Sequence, residues 1–130
     1  MEKYDHVAFQ VGNMDAAIQF YVGKLSFTLS SRAVNQDEME EYVFLTLGDL
    51  RLELIQDLNQ AAYQKPGIKR PYCPHLAIET DNVERAVARL REEAVPIVRG
   101  PLAIEAEVTW VYFADPDNNV LEYIQWYKKK

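Results

Sequence analysis

The sequence contains an internal repeat, and this repeat constrains the fold more than any other feature. Residues 6–13, which read HVAFQVGN, are matched 69 positions later by residues 75–82, which read HLAIETDN. The same shift places LELIQ at 52–56 on LEYIQ at 121–125. Because a repeat of this kind indicates a duplicated structural unit, we predict two copies of one motif.

The repeat also defines two equivalent pairs of possible metal ligands. They are His6 and Glu53 in the first copy, and His75 and Glu122 in the second. Among twelve glutamates some pairs coincide by chance, as Glu38 and Glu107 do at the same separation. The two ligand pairs rise above that background because they include the only two histidines and lie in matching surroundings.

Length and composition favour one shared domain. A chain of 130 residues with 48% hydrophobic content can build one core, whereas each half alone would be marginally stable. The copies should therefore share a core or exchange parts with a second chain. We expect a single domain at 1–130, with module 1 at 1–57, a linker at 58–73 and module 2 at 74–130.

Charge and cysteine content exclude several classes of protein. The net charge of -6 argues against a nucleic-acid or anionic-membrane partner. No apolar run of about 18 residues and no leader pattern is present, so we expect a cytoplasmic protein. The single cysteine, Cys73, cannot form an internal disulfide, which fits a reducing compartment. Tyr4 stands at the equivalent place in the first copy, so a structural role for Cys73 is favoured over a ligand or nucleophile.

Hydrophobic periodicity predicts the order β-α-β-β-β in each copy. The first copy should have strands at 4–11, 26–34, 41–47 and 50–56 and a helix at 14–24 that buries Ala17, Ile18, Tyr21 and Leu25. The second should have strands at 74–80, 96–99, 108–113 and 120–126 and a helix at 83–93 that buries Ala86, Val87 and Leu90. Gly100-Pro101 is expected to end the strand at 96–99, and Asn13 and Asn82 to cap the helices.

Alternation along the strands places both ligand pairs on one surface. The residues predicted to share a face are His6, Ala8 and Gln10; Arg51, Glu53 and Ile55; and Val120, Glu122 and Ile124. Two units of similar curvature can pair into one open, concave, barrel-like sheet with the helices outside. The predicted fold class is therefore α+β, with the histidines and glutamates facing inward.

Two imidazoles and two carboxylates suit a divalent metal such as Zn, Ni, Co, Mn or Fe. The alternative is that the histidines are core residues and the glutamates surface residues. That alternative requires four incidental residues at equivalent places in a duplication. A glutamate within an apolar strand is also costly unless it has a partner. We therefore predict one metal ion shared by the two pairs.

These residues resemble the vicinal oxygen chelate superfamily, in which paired βαβββ modules hold a metal. The ligand set looks like that of glyoxalase I, and residues 113–119 through Glu122 resemble its closing strand pair. The resemblance implies a homodimeric lyase or isomerase that removes a proton beside the carbonyl of a small-molecule substrate, with the enediolate held on the metal. In such a scheme Glu122 or Glu53 acts as the base and the other carboxylate serves the opposite face.

Two positions depart from the glyoxalase I pattern. Gln10 and Asp57 stand where that enzyme has an arginine and an asparagine that grip glutathione, which favours another thiol adduct, a thioester or a sugar-like carbonyl compound. The alternatives within the resemblance are a methylmalonyl-CoA epimerase-like enzyme and a non-catalytic drug-binding protein. Extradiol dioxygenases and fosfomycin-resistance proteins use three ligands, and Glu53 as a fourth disfavours them.

Two further groups of residues allow two interpretations each. The basic linker residues Lys65, Lys69 and Arg70 could meet an anionic substrate group, but a solvated linker is the favoured interpretation. Trp110 and Tyr112 could line a pocket, although aromatic residues on a strand more often belong to a core.

Overall fold

A computed structural model describes residues 1–59 and 62–130 of the chain. These residues form two compact units, Met1–Pro66 and Gly67–Lys130. Each unit contains one four-stranded mixed sheet and one helix, so the α+β class and the repeated βαβββ motif are confirmed. The boundary between the units falls in the predicted linker, of which positions 60 and 61 lie outside the described residues.

Module 1 has the predicted element order. Its elements are β1 (Val7–Gln10), α1 (Met14–Ile18), a π-helical turn (Gln19–Lys24), β2 (Thr28–Asn35), β3 (Glu40–Leu47) and β4 (Leu50–Asp57). The strand order in the sheet is β1-β4-β3-β2, with β1 parallel to β4 and the other pairs antiparallel. The helix ends at the predicted residue, but its second half adopts π geometry, which hydrophobic spacing does not reveal.

Module 2 repeats this topology. Its elements are β5 (His75–Glu79), α2 (Val83–Glu92), β6 (Ile97–Ile104), β7 (Val108–Ala114) and β8 (Val120–Trp126). The strand order is β5-β8-β7-β6, and β5 is parallel to β8. Equivalent strands therefore occupy equivalent places in the two sheets.

The expectation that Gly100-Pro101 ends its strand was wrong. Strand β6 continues through both residues to Ile104, with a shift in its register against β7 between Arg99 and Leu102. Gly100 has φ +107, and a Cβ there would lie 3.1 Å from the Trp110 carbonyl oxygen. The glycine thus permits a bulge in place of a strand end.

The predicted apolar stripes face the cores with two exceptions. Ala17, Tyr21, Leu25, Val87 and Leu90 are buried, whereas Ile18 and Ala86 are only half-buried. Each helix packs against strands of its own sheet, where alternate residues such as Leu52 and Leu54 are fully buried. Within the described ranges, none of the helices is long and apolar enough to cross a membrane.

Matching side chains hold the start of each helix. Asn13 and Asn82 cap their helices as predicted, each accepting a backbone N–H three residues later. A glutamine of the last strand gives a second contact: Gln56 accepts the Met14 N–H, and Gln125 accepts the Val83 N–H at 3.0 Å. Each glutamine thus joins its helix to the strand that carries the repeated glutamate. This contact is a structural role for the repeated LE-x-IQ segment.

We expect Gln125→Ala to lower the free energy of unfolding by about 1–3 kcal/mol, because the Val83 N–H loses its acceptor in a part-buried contact and the exposed Asp81 carbonyl loses its donor. Urea denaturation followed by circular dichroism measures the change. Gln36→Ala, in an exposed turn, is the matched control and should leave stability unchanged. Equal stability of Gln125→Ala and the unsubstituted protein would contradict this role.

Candidate metal centre

In module 1 the parallel pairing of β1 with β4 brings the histidine to the glutamate. Ala8 pairs with Glu53, and His6 lies two residues before Ala8, on the same face of the sheet. The His6 Nε2 atom is 3.2 Å from Oε1 of Glu53. The other ring nitrogen, Nδ1, lies 2.6 Å from Oδ2 of Asp5.

In module 2 the same pairing gives the same geometry. Ala77 pairs with Glu122 across β5 and β8, and His75 Nε2 is 3.0 Å from Oε1 of Glu122. Here His75 Nδ1 contacts the backbone carbonyl oxygen of Tyr72 at 3.0 Å. Both predicted His–Glu pairs are thus formed, one in each module.

An aromatic ring completes each pair, and sequence reasoning missed this in module 1. The Phe44 ring lies edge-on to His6 with centroids 5.2 Å apart, and Tyr112 lies 5.3 Å from His75 in the same manner. Each ring belongs to the residue that pairs with the glutamate across the central strands. The two aromatics are 68 positions apart, so a fixed shift of 69 does not align them.

Around His6, charged residues that the sequence did not single out form a support. Asp5 also binds the Arg51 guanidinium at 2.6 Å, and that guanidinium lies 4.0 Å above the Phe44 ring. The hydrogen bond to His6 holds the pKa of the Asp5 carboxyl below its ordinary value, with Arg51 adding to the effect and desolvation opposing it. Asp5 therefore stays ionised and orients the imidazole.

The arrangement of His75 leaves two acceptors facing each other. A carbonyl oxygen can only accept, so the Tyr72 contact requires a proton on Nδ1 of His75. In a neutral imidazole Nε2 then presents a lone pair to the Glu122 carboxylate, which also only accepts. A proton or a cation between the two atoms resolves this conflict. A metal-binding histidine commonly donates its other ring nitrogen in this way.

The separations and the surroundings of both pairs fit metal ligands. Two ligand atoms that bind a divalent metal at about 2.1 Å lie about 3.0 Å apart in an octahedral site and about 3.4 Å apart in a tetrahedral one, and the observed separations are 3.2 and 3.0 Å. Burial raises the pKa of Glu122 above its ordinary value, and His75 offsets only part of this effect. A buried carboxylate of this kind gains from a nearby cation.

Each pair brings two possible ligand atoms together within its own module. Among residues 1–59 and 62–130, no three or more histidine, cysteine, aspartate or glutamate side chains are arranged so that together they could hold a metal ion. Cys73 is exposed, and its Sγ atom lies 3.9 Å from His75 Nδ1, the nitrogen that faces the Tyr72 carbonyl. The thiol is therefore on the side of the ring away from Glu122.

The sequence matches the family model of the Glyoxalase/Bleomycin resistance protein/Dioxygenase superfamily over residues 3–123. The chain belongs to this superfamily. This finding confirms the resemblance inferred from the repeated His and Glu positions, since the match spans both modules.

Relatives within the superfamily carry different names. A probable lactoylglutathione lyase of Vibrio cholerae is 26% identical, with 92% of this chain and 88% of that protein covered. The mitochondrial methylmalonyl-CoA epimerase of Bos taurus is 28% identical, with 89% and 68% covered. The metallothiol transferase FosB of Shouchella clausii is 31% identical, with 91% and 76% covered. The comparisons therefore show the superfamily and leave the reaction to be argued from the site.

Solved structures show the same fold. A glyoxalase family protein from Enterococcus faecalis superposes with a TM-score of 0.76 at 25% identity, covering 95% of this chain and 97% of that one. A trypanothione-dependent glyoxalase I from Leishmania major gives the same TM-score at 23% identity, with 96% and 87% covered.

We expect Asp5→Asn to weaken binding of a divalent cation by about 10-fold, because a partner of the non-coordinating ring nitrogen orients a metal-binding histidine. Competition of the purified protein with a chromophoric chelator for Zn²⁺ or Ni²⁺ measures the affinity. Asp49→Asn makes the same change of charge in the exposed hairpin turn and should leave the affinity unchanged. An equal loss in both variants would assign the effect to net charge.

Proposed function

We propose that the protein is a metal-dependent enzyme of glyoxalase I type, which transfers a proton at a carbon beside the carbonyl of a small-molecule substrate. The observation that carries this proposal is the pair of equivalent His–Glu contacts, each with its imidazole fixed through the other ring nitrogen. Membership of the superfamily supports it.

In this proposal His6, Glu53, His75 and Glu122 hold one divalent cation, which is Zn, Ni, Co, Mn or Fe. The bound cation would polarise the carbonyl oxygen of the substrate as a Lewis acid. Since each module supplies two of the four ligands, one module is insufficient, and the two modules act as one domain. Their pairing takes place within one chain or across a homodimer.

Glu122 is the favoured proton acceptor. Its side chain is 8% exposed against 16% for Glu53, and burial raises its pKa above the ordinary value of a carboxyl. In this scheme Glu122 leaves or loosens from the metal to act as the base, and a carboxylate with a raised pKa then takes a proton more readily at neutral pH. Oε1 of Glu122 lies 3.0 Å from His75 Nε2, and Glu53 would serve as the corresponding acid and base on the opposite face of the substrate.

The substrate is proposed to be a thiol adduct or a thioester, and a thiol adduct other than that of glutathione is favoured. Asp57 carries a negative charge that would repel a carboxylate, and Gln10 lacks the charge that would attract one. The names of two relatives, lactoylglutathione lyase and methylmalonyl-CoA epimerase, are consistent with this range of substrates. The reducing environment that suits the single cysteine favours the cytoplasm as the compartment.

A thiol transferase is the second candidate, because the FosB relative is 31% identical over 123 residues. In that candidate three ligands hold the metal and Glu53 has no role in binding it. Glu53 therefore separates the two functions. An epimerase-like enzyme uses the same proton transfer and differs in its substrate, and a non-catalytic binding protein would show no proton exchange.

We expect Glu122→Gln to reduce solvent-proton exchange by about 10²- to 10⁴-fold, since the amide cannot accept the substrate proton. The assay incubates the metal-loaded protein in heavy water with hemithioacetals and thioesters and follows deuterium incorporation by NMR. Glu38→Gln is the matched control, because Glu38 belongs to the chance pair and is exposed. Metal-loaded protein that exchanges no candidate substrate would favour the non-catalytic alternative.

We expect Glu53→Gln to lower both the affinity for the divalent cation and the rate of proton exchange. The amide replaces a charged oxygen ligand beside His6 Nε2 with a neutral one, which binds a divalent cation more weakly. Chelator competition and the heavy-water assay measure the two effects. Undiminished metal binding in this variant would favour the three-ligand transferase.

Mixing of two inactive variants determines how the modules pair. In His6→Ala every site lacks a ligand from module 1, and in His75→Ala every site lacks one from module 2. If sites form across a dimer, a mixed dimer contains one intact site and regains activity. If sites form within a chain, mixing regains none.

A further inference from the structure

A cavity of about 330 Å³ lies in module 2 beside the candidate metal ligand His75. Its wall includes the aromatic side chains of Tyr72, Trp110 and Tyr112, together with Arg70 and Arg99. This volume is at the lower end of the range for small-molecule sites, which are commonly apolar with a few convergent polar groups. The composition of the wall matches that description.

The two arginines in this wall have no acidic partner within the described residues. Two other arginines are paired with carboxylates: Arg32 contacts Glu41, and Arg51 contacts Asp5. Arg70 and Arg99 form no such pair, although the protein carries a net charge of -6. Two guanidinium groups left without a counter-charge in one cavity attract an oxyanion.

Strand register connects the cavity to the proposed reaction centre. Glu122 pairs with Tyr112, and Tyr112 pairs with Arg99, so the three residues form one row across β8, β7 and β6. Neighbouring strands are about 4.8 Å apart, which places the backbones of Glu122 and Arg99 about 10 Å from each other. The Tyr112 ring spans this interval, since it contacts His75 at 5.3 Å and Tyr72 at 4.9 Å between centroids.

Module 1 does not repeat this feature. The equivalent row there runs from Glu53 through Phe44 to Ser31, so a small neutral residue stands where module 2 has Arg99. The register shift before this position is the same in both modules, between Leu29 and Ser31 in β2 and between Ile97 and Arg99 in β6, so the difference lies in the residue itself. The arginine in this row is thus particular to module 2.

We propose that this cavity binds an oxyanion, a carboxylate or a phosphate, carried on a flat apolar body. The oxyanion lies between Arg70 and Arg99, and the apolar body lies against Trp110 and Tyr112. The other end of the substrate carries the carbonyl that reaches Glu122, and this part of the inference rests on the proposed function. The substrate class is therefore small carbonyl compounds that carry an acidic group at the end remote from the reacting carbon.

Calorimetric titration of the full chain in chelator, without metal, tests the cavity apart from the reaction. The probes are 2-naphthoate, 2-naphthyl phosphate and the neutral 2-naphthamide. We expect one or both anions to bind about 10-fold or more tightly than the amide, since charge-assisted hydrogen bonds to arginine add to the stacking. The anion that binds more tightly identifies the group as carboxylate or phosphate.

Variants of the arginines locate the binding. The double variant Arg70→Gln/Arg99→Gln should bind the preferred anion and the amide equally, because the aromatic wall remains. Arg91→Gln is the matched control, since Arg91 is exposed on α2 and outside the cavity wall. Equal binding of all three probes by the unsubstituted protein, no binding of any probe, or an equal loss in Arg91→Gln would overturn the proposal. The titration tests the cavity alone, and the proton-exchange assay tests the proposed reaction. A negative result in either experiment therefore leaves the result of the other unchanged.

Discussion

Both halves of this protein depend on the parallel pairing of a first and a last strand. The pairing of β1 with β4, and of β5 with β8, brings together residues that are 47 positions apart in the chain. Because side chains alternate along each strand, the imidazole and the carboxylate lie on the same face. The glutamine three residues after each glutamate, Gln56 or Gln125, then joins the start of the helix to this last strand. A slip of one residue in either pairing would turn the glutamate to the opposite face.

The same fold supports its two histidines in different ways. The Asp5 carboxylate, itself paired with Arg51, orients His6, whereas the Tyr72 backbone carbonyl orients His75. Salt screens charged groups near the surface, while a backbone hydrogen bond is less affected. The environment of Glu122 is also the drier of the two, and its pKa is raised by burial. The duplication therefore keeps the ligand geometry and differs in the residues behind it, which is a physical basis for different roles of the two glutamates.

The asymmetry extends to the region proposed to bind the substrate. A two-residue turn at Gly48-Asp49 joins the central strands of module 1, whereas residues 115–119 join those of module 2. Because the turns differ in length, the aromatic residues opposite the two glutamates, Phe44 and Tyr112, are 68 positions apart, whereas the glutamates are 69 apart. Arg99 of β6 extends this row where module 1 has Ser31, and Arg70 lies at the cavity wall in the segment before β5. Of the basic linker residues, the structure thus places Arg70 at a cavity wall, where Trp110 and Tyr112 also lie.

The sequence by itself determined the duplication, the order of strands and helices, the helix caps and the pairing of each histidine with its glutamate. It could do so because these features depend on local periodicity and on identical residues at a fixed separation. The tertiary structure decided the strand through Gly100, the π-helical turn, and the contacts of Asp5 and Tyr72 with the histidines. Those features arise where backbone register and non-local neighbours override local preference, so a pattern along one chain does not contain them.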